Sequence, residues 1–216
     1  MKVFHHNRFL AMNDVILVMN YLAHAFLSFN KTDILAGNII SDFVKGKAKF
    51  DYPPGIQKGI HLHRLIDSFT DHHPATAIAK SFFQPQYRLY SGAFTDVVYD
   101  HFLACDKEEF EEYGNLQIFS QNVYQSLETN FPLYPMRFQK MFPYMKSQNW
   151  LYNYRLKDGI RKSFEGLVYR AAYLNESAVA FRIFNQYYQE LENCYQEFFP
   201  DLKKFAFNSM IDLLAG

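Results

Sequence analysis

The chain has 216 residues, a formal net charge of zero and two cysteines, and these values exclude several classes of protein. A balanced charge gives no basic surface for capturing nucleic acid or membranes, so we expect neither as a partner. Cys105 and Cys194 are far apart and form no CxxC pair, which argues against a disulfide framework or a zinc ribbon and fits the cytoplasm. The length suits one domain, and 23 Phe and 16 Tyr predict a core rich in aromatic side chains.

Residues 1–18 are predicted to be an N-terminal extension, with the functional domain spanning residues 19–216. An apolar run over residues 15–29 imitates a signal peptide, which is the less favoured alternative. Asn20 and His24 interrupt this run, and no charge-free span reaches the ~20 residues that a membrane helix needs. We therefore expect no membrane-spanning segment.

Hydrophobic residues at helical spacing predict an all-α protein, a single-domain bundle of eight to ten helices. The predicted helices cover residues 20–29, 33–44, 56–72, 75–83 and 86–105, a stretch capped by Asp106 that reaches residue 128, and residues 136–148, 151–173, 177–199 and 201–214. Pro85 and Pro200 are expected to end or kink helices. No repeat and no β-hairpin pattern is present.

The helix over residues 56–72 carries the strongest chemical signal, because residues 61–73 contain four His and two Asp. At about 100° per residue, His63, Asp67 and Asp71 fall within an arc of roughly 80°. A ladder of this kind suits a hard or borderline divalent cation. The alternative is a solvated face with ion pairs between neighbouring turns.

Further side chains of the kind that bind metals interrupt apolar helices in the first half of the chain. They are His24, Asp42, His61, Asp96, Asp100 and His101. His61 points nearly opposite His63, so both bind one ion only if the helix begins between them. Asp42 lies in an apolar stretch, and a buried carboxylate is costly without a positive partner, so we expect a cation nearby. For a lone residue such as His24, a hydrogen-bonded position in the core is the alternative.

Four motifs carry a family resemblance. They are Asn-Tyr-Leu-Ala-His at residues 20–24, Gly-Asn at 37–38 with Ser-Asp-Phe-Val-Lys-Gly at 41–46, the His- and Asp-containing stretch at 59–71, and Asp-Val at 96–97 with Asp-His-Phe-Leu at 100–103. In this order they resemble the motifs of the bacterial acyl carrier protein phosphodiesterases, also called ACP hydrolases. Shorter similarities at 150–151, 154–155 and 198–200 extend the resemblance over about residues 19–204. Residues 1–18 have no counterpart.

The resemblance implies a divergent HD-type metal-dependent phosphohydrolase with Mn²⁺, or another divalent cation, as its cofactor. The implied substrate is holo-acyl carrier protein, from which 4′-phosphopantetheine is released to leave the apo form. Two alternatives are a metallophosphohydrolase that acts on a nucleotide or a small phosphate ester, and a non-enzymatic helical binding module. Nothing in the sequence indicates an oligomeric state.

A site of the implied type assigns roles to the candidate residues. We expect the cation to be held by Asp42, His63, Asp67 and Asp100, with His61 and Asp96 as further candidate ligands. His24 or Asp71 would orient the attacking water or protonate the leaving oxygen, and Arg64 would steady the phosphate.

An acidic carrier protein also requires a basic surface near the site. The candidate groups are Lys45, Lys47, Lys49, Lys58 and Arg64, and, later in the chain, Arg155, Lys157, Arg161 and Lys162. The alternative is that these are ordinary solvated side chains.

Overall fold

A computed structural model describes residues 20–171 and 173–215 of the protein, which form eleven α-helices and no strand. The helices are α1 (Tyr21–Phe26), α2 (Thr32–Ile40), α3 (Pro54–His72), α4 (Pro74–Tyr87), α5 (Ser91–Cys105), α6 (Tyr113–Thr129), α7 (Met136–Ser147), α8 (Trp150–Asn153), α9 (Lys157–Arg170), α10 (Ala178–Gln186) and α11 (Tyr188–Ala215). Short 3-10 helices cover Ser41–Phe43, Gly46–Asp51, Arg88–Tyr90 and Phe131–Leu133. The all-α prediction is confirmed, and the predicted extension at residues 1–18 lies outside the described residues.

Two prolines predicted to end or kink helices lie inside helices instead. α4 continues through Pro85 because it buries one side chain per turn, at Ala75, Ala79, Phe83 and Tyr87. α11 likewise continues through Pro200, with buried side chains on both sides of it. A proline inside a helix removes one backbone hydrogen bond. Burial of the apolar stripe contributes more free energy to the helix than this hydrogen bond does.

Other predicted helices are interrupted or shifted. The helix predicted over residues 86–105 starts only at Ser91, after the turn at Arg88–Tyr90, and the helix predicted over 151–173 is divided into α8 and α9. The helix predicted over 177–199 breaks at Tyr187, between α10 and α11. Asp106 caps a turn, accepting a hydrogen bond from the Glu108 N–H at 2.9 Å, and α6 begins later than predicted.

The core is one continuous cluster that is rich in aromatic rings, as the composition predicts. Phe94 contacts Phe83 at a centroid distance of 5.7 Å and Phe164 at 5.2 Å, which joins α4, α5 and α9. The C-terminal helix adds Phe198, which stacks on Tyr99 at 4.9 Å. Helices from both halves of the chain therefore share one core, which confirms a single domain.

Two glycines set the distance between α2 and α3. A Cβ atom on Gly37 would lie 2.0 Å from the Ile56 carbonyl oxygen, and one on Gly59 would lie 2.3 Å from the Ile34 carbonyl oxygen. Only glycine allows two backbones to approach this closely. The sequence predicts close backbone approach at Gly37, and this approach places the polar residues of α2 beside those of α3.

No helix in the described part of the chain is both long and apolar enough to cross a membrane. Cys105 and Cys194 are free thiols, the first partly exposed and the second buried.

Candidate metal centre

Two histidines and two aspartates meet where α1, α3 and the 3-10 helix Ser41–Phe43 converge. Nε2 of His24 lies 3.2 Å from Oδ1 of Asp67. Nε2 of His63 lies 3.0 Å from Oδ2 of Asp67 and 3.2 Å from Oδ1 of Asp42. His24, His63 and Asp67 each offer one ligand atom, and these three atoms lie within 4.8 Å of one another. A single metal ion could contact all three at this spacing.

Asn38, which is buried in α2, orients both imidazole rings. Its backbone carbonyl accepts a hydrogen bond from Nδ1 of His63 at 2.7 Å, and its side-chain oxygen accepts one from Nδ1 of His24 at 2.7 Å. The amide is fixed because its nitrogen donates to the His24 carbonyl at 2.8 Å and to Oγ of Ser28 at 3.1 Å. Since both Nδ1 atoms donate, the neutral form of each ring directs an Nε2 lone pair towards the carboxylates.

The two rings stack with their centroids 4.0 Å apart, so a positive charge on one ring opposes a charge on the other. Burial and the charge of His63 lower the pKa of His24. Burial by itself would lower the pKa of His63, but its hydrogen bonds with Asp42 and Asp67 raise that pKa to about 10. Burial would raise the pKa of Asp67, whereas its contacts with the two histidines lower it. The metal-free cluster at neutral pH therefore contains a positive His63, a neutral His24 and an ionised Asp67.

The residues of this cluster fit a divalent cation. Nε2 of His24 is buried and makes no hydrogen bond within the described part of the chain, because its contact with Asp67 lacks hydrogen-bond geometry. A buried nitrogen without a partner is destabilising. A cation placed between Nε2 of His24, Nε2 of His63 and Asp67 would satisfy it.

Asp42 reaches the cluster because the chain tightens after α2. The sequence predicts an α-helix through residue 44, but α2 ends at Ile40 and a 3-10 helix follows. The Asp42 side chain is 29% exposed and contacts His63, so it is not the enclosed carboxylate that its apolar neighbours suggested.

The cluster opens into a cleft with a volume of about 430 Å³. Besides the cluster, its walls carry two further carboxylates, Asp71 and Asp96, and two cations, Lys80 and Arg88. Asp96 is half-buried, and burial together with the charge of Asp67 raises its pKa. The cleft therefore combines the candidate cation site with a carboxyl group that favours its protonated form.

Asp100, predicted as a metal ligand, does not face this cleft. It is fully buried, and its two carboxylate oxygens accept hydrogen bonds from the backbone N–H groups of Leu22 at 3.0 Å and Ala23 at 2.8 Å. Burial raises its pKa to about 8, despite these hydrogen bonds and one with Tyr154. Asp100 holds the start of α1 in place and thereby positions His24.

Four other predicted site residues do not belong to the cluster, although two of them share its cleft. His61 is exposed and points to the opposite side of α3 from the buried His63. Arg64 is exposed, and its guanidinium donates to the Val44 carbonyl at 3.4 Å. Asp71 lines the cleft but pairs with Lys80 at 2.6 Å. Asp96 shares the cleft without belonging to the group of His24, His63 and Asp67.

Sequence reasoning assigned no role to Asn38, Lys80 or Arg88. Asn38 had a usable signal, because an amide inside an otherwise apolar helix needs partners for all of its polar atoms. No pattern in the sequence indicates that Lys80 or Arg88 reaches the cleft, since their approach depends on how α4 packs and where it ends.

Known proteins of one family are similar to this chain over most of its length. The family described as acyl carrier protein phosphodiesterase matches residues 19–202. An acyl carrier protein phosphodiesterase of Yersinia pestis is 34% identical over 193 residues, which are 89% of this chain and 100% of that protein. Proteins of the same name from Serratia proteamaculans and Escherichia coli O6:H1 are 32% and 31% identical over 87% of this chain and 97% of each protein. No solved structure matches the chain.

Proposed function

Because this chain belongs to the acyl carrier protein phosphodiesterase family, we propose that it hydrolyses the phosphodiester that joins 4′-phosphopantetheine to holo-acyl carrier protein. Water attacks phosphorus, the bond from phosphorus to the serine oxygen breaks, and that oxygen takes up a proton. The products are apo-acyl carrier protein and free 4′-phosphopantetheine.

The observation that supports metal dependence is the convergence of two imidazoles and two carboxylates from three elements on one point of the cleft. We propose that His24, His63 and Asp67 hold a divalent cation, with Asp42 completing the set. Mn²⁺ accepts this mixture of nitrogen and oxygen ligands. A cation of this kind lowers the pKa of water towards neutrality and polarises a phosphoryl oxygen.

This assignment changes two expectations. His24, expected to orient water or protonate the leaving group, becomes a candidate ligand, because its ring is fixed by Asn38 and its Nε2 points at the cluster. Asp100, expected to be a ligand, becomes a residue that positions α1.

The chain also offers a proton for the leaving serine oxygen. Asp96 lines the cleft, and its raised pKa favours the protonated carboxyl. Asp71 is a weaker candidate, because its carboxylate is already paired with Lys80. We therefore place the general acid at Asp96.

The basic group that follows the 3-10 helix of Asp42 is the better candidate for docking an acidic carrier protein. Lys45 and Lys47 are exposed close to the cleft residue Asp42 in sequence. In the second predicted group, Arg161 pairs with Asp158 at 2.6 Å. Charge reversal at Lys45 and Lys47 should raise KM for the carrier protein, and an unchanged KM would contradict this docking surface.

The proposed reaction is tested by incubating the full chain with holo-acyl carrier protein and Mn²⁺ and following the mass of the carrier protein. Loss of the pantetheine arm is the expected result. Asp67→Ala should abolish this activity while leaving the helical circular dichroism unchanged, and Asp212→Ala, on an exposed face of α11, is the matched control. An active Asp67→Ala variant would refute the metal site.

A generic phosphodiester assay distinguishes the alternative substrate class, because a nucleotide or small-ester hydrolase would turn over in the absence of carrier protein. We propose that the reaction takes place in the cytoplasm, where Cys105 and Cys194 would remain free thiols. Measuring activity in separated cell fractions tests this location.

A further inference from the structure

An anionic substrate meets several carboxyl groups in the cleft. They are those of Asp42, Asp67, Asp71 and Asp96, of which Asp96 is the proposed proton donor. Apart from the His63 ring of the cluster, two basic side chains line the same cleft, Lys80 and Arg88. A phosphodiester is an anion, so its approach to these carboxylates is unfavourable unless positive groups meet it. A bound cation neutralises part of this charge at the cluster, and the remainder must come from the chain.

Of the two basic side chains, Lys80 is already engaged. Its Nζ lies 2.6 Å from Oδ1 of Asp71, so the pair brings little net charge to a ligand. Arg88 is exposed, lines the same cleft and forms no ion pair with any residue in the ranges 20–171 and 173–215. Its guanidinium is therefore available to an anion.

The backbone of Arg88 is also in an unusual conformation. Its φ is 47° and its ψ is −116°, a combination that favours glycine and is strained for a residue with a side chain. The conformation is held on both sides, because the Arg88 N–H donates to the Gln84 carbonyl and the Arg88 carbonyl accepts from the Ser91 N–H. The backbone therefore fixes the point at the cleft from which the Arg88 side chain starts.

We propose that Arg88 binds the phosphoryl group of the substrate, donating two parallel N–H groups to its non-bridging oxygens. The planar guanidinium fits such oxygens better than an ammonium does. This inference rests on the proposed function, and it transfers to Arg88 the role that the sequence assigned to Arg64. Arg64 contacts the Val44 carbonyl and does not line the cleft.

Three substitutions separate the side chain from the backbone strain. Arg88→Ala removes the guanidinium and keeps a Cβ atom, so the strain remains. Arg88→Gly removes both the guanidinium and the strain. Arg88→Lys keeps the positive charge but lacks the planar guanidinium with its two parallel N–H donors. Lys107→Ala, at an exposed cation beyond α5, is the matched control for the loss of one positive charge.

The measurement is the dissociation constant of inorganic phosphate for the full chain loaded with Mn²⁺, by titration calorimetry, together with the thermal unfolding midpoint. We expect Arg88→Ala and Arg88→Gly to weaken phosphate binding at least about tenfold, the usual range for a charged hydrogen bond. Arg88→Lys should recover part of the loss, and Lys107→Ala should bind as the parent does. Arg88→Gly should also unfold at a higher temperature than Arg88→Ala.

Phosphate binding by Arg88→Ala that equals the parent's overturns the proposal, and so does a parent protein that binds no phosphate. This test does not depend on turnover. A parent that binds phosphate through Arg88 but leaves holo-acyl carrier protein intact would disprove the proposed function and keep Arg88 as a phosphate-binding residue.

Discussion

Buried histidines occupy two parts of this core, and their ring nitrogens have different partners. His101 of α5 donates from Nδ1 to the Tyr154 carbonyl at 2.8 Å, and its Nε2 lies 2.9 Å from the Tyr188 hydroxyl. Both nitrogens are satisfied by neutral groups. His63 has one nitrogen fixed by a neutral carbonyl and the other directed at two carboxylates. A core histidine and a candidate ligand thus differ in where the second nitrogen points.

The surroundings reinforce this difference. His101 packs edge-on against Phe184 at a centroid distance of 5.2 Å, inside the aromatic core. His63 instead stacks on His24 at 4.0 Å, an arrangement that is unfavourable when both rings are charged. The structure tolerates that arrangement only where neighbouring carboxylates compensate the charge. Aromatic packing and neutral hydrogen-bond partners account for the first site, whereas carboxylates surround the second.

The largest expected effect comes from removing each histidine in turn. His63→Ala should lower turnover of holo-acyl carrier protein by at least about 10³-fold, because a ligand and its orientation are lost together. His101→Ala should instead destabilise the protein by about 2–4 kcal/mol, since it leaves a cavity and two unpaired polar groups in the core. Steady-state kinetics with Mn²⁺ and denaturant unfolding measure the two effects.

The proposed difference between the two histidines is wrong if His101→Ala loses the metal-dependent function and His63→Ala does not. A His63→Ala variant that keeps its activity would make His63 another core histidine. A His101→Ala variant that remains folded but binds no Mn²⁺ would show that His101 takes part in metal binding.

A smaller effect is expected from Asn38, the residue that orients the two imidazole rings. Asn38→Leu fills a similar volume but removes the acceptor for Nδ1 of His24. Loss of such an orienting partner weakens metal binding about 10–100-fold. Ser120→Ala is the control, because Ser120 is also a buried polar side chain but lies in α6 and donates to the Leu116 carbonyl. Titration of each variant with Mn²⁺ gives the affinity, and equal losses in both variants would argue for a general effect on packing.

The fold could be predicted from the sequence wherever one face of a helix decides the structure. α3 was predicted to within two residues of its observed start, because its apolar stripe is regular and prolines bound it. The end of α4 could not be predicted, because it depends on the positive φ of Arg88, a residue that gives no sign of such a conformation. Tertiary packing also carried α11 through Pro200 against its local preference.

The site was predictable in part for the same reason. Helical spacing on α3 placed His63 and Asp67 on one face, and the two do lie together. The same spacing placed Asp71 with them, but two turns separate Asp71 from His63, and α4 supplies Lys80 as its partner. Asp100 is a residue type that often binds metals, and only the fold reveals that its carboxylate faces backbone N–H groups.

The smallest effect is spectroscopic and tests the two histidine environments directly. In metal-free protein, the hydrogen bonds with Asp42 and Asp67 raise the pKa of His63 to about 10 from the ordinary 6.5, so its ring should stay an imidazolium throughout the neutral range. Burial lowers the pKa of His101 below 6.5, so its ring should stay neutral there. Nitrogen-15 spectra of the imidazoles between pH 5 and 10, assigned with the two alanine variants, distinguish these forms.

The two pKa shifts also act on stability in opposite directions. The contribution of His63 is present below pH 6.5 and is lost as the pH rises through about 10, because the folded state binds that proton more tightly. The contribution of His101 is lost as the pH falls below 6.5, because only the unfolded chain takes up the proton readily. Addition of diamagnetic Zn²⁺ should convert the His63 imidazolium to a neutral ligand with release of a proton, and leave His101 unchanged. If the nitrogen-15 signal of His63 does not change on addition of the cation, the metal binds elsewhere. The cluster would then be a buried ion pair.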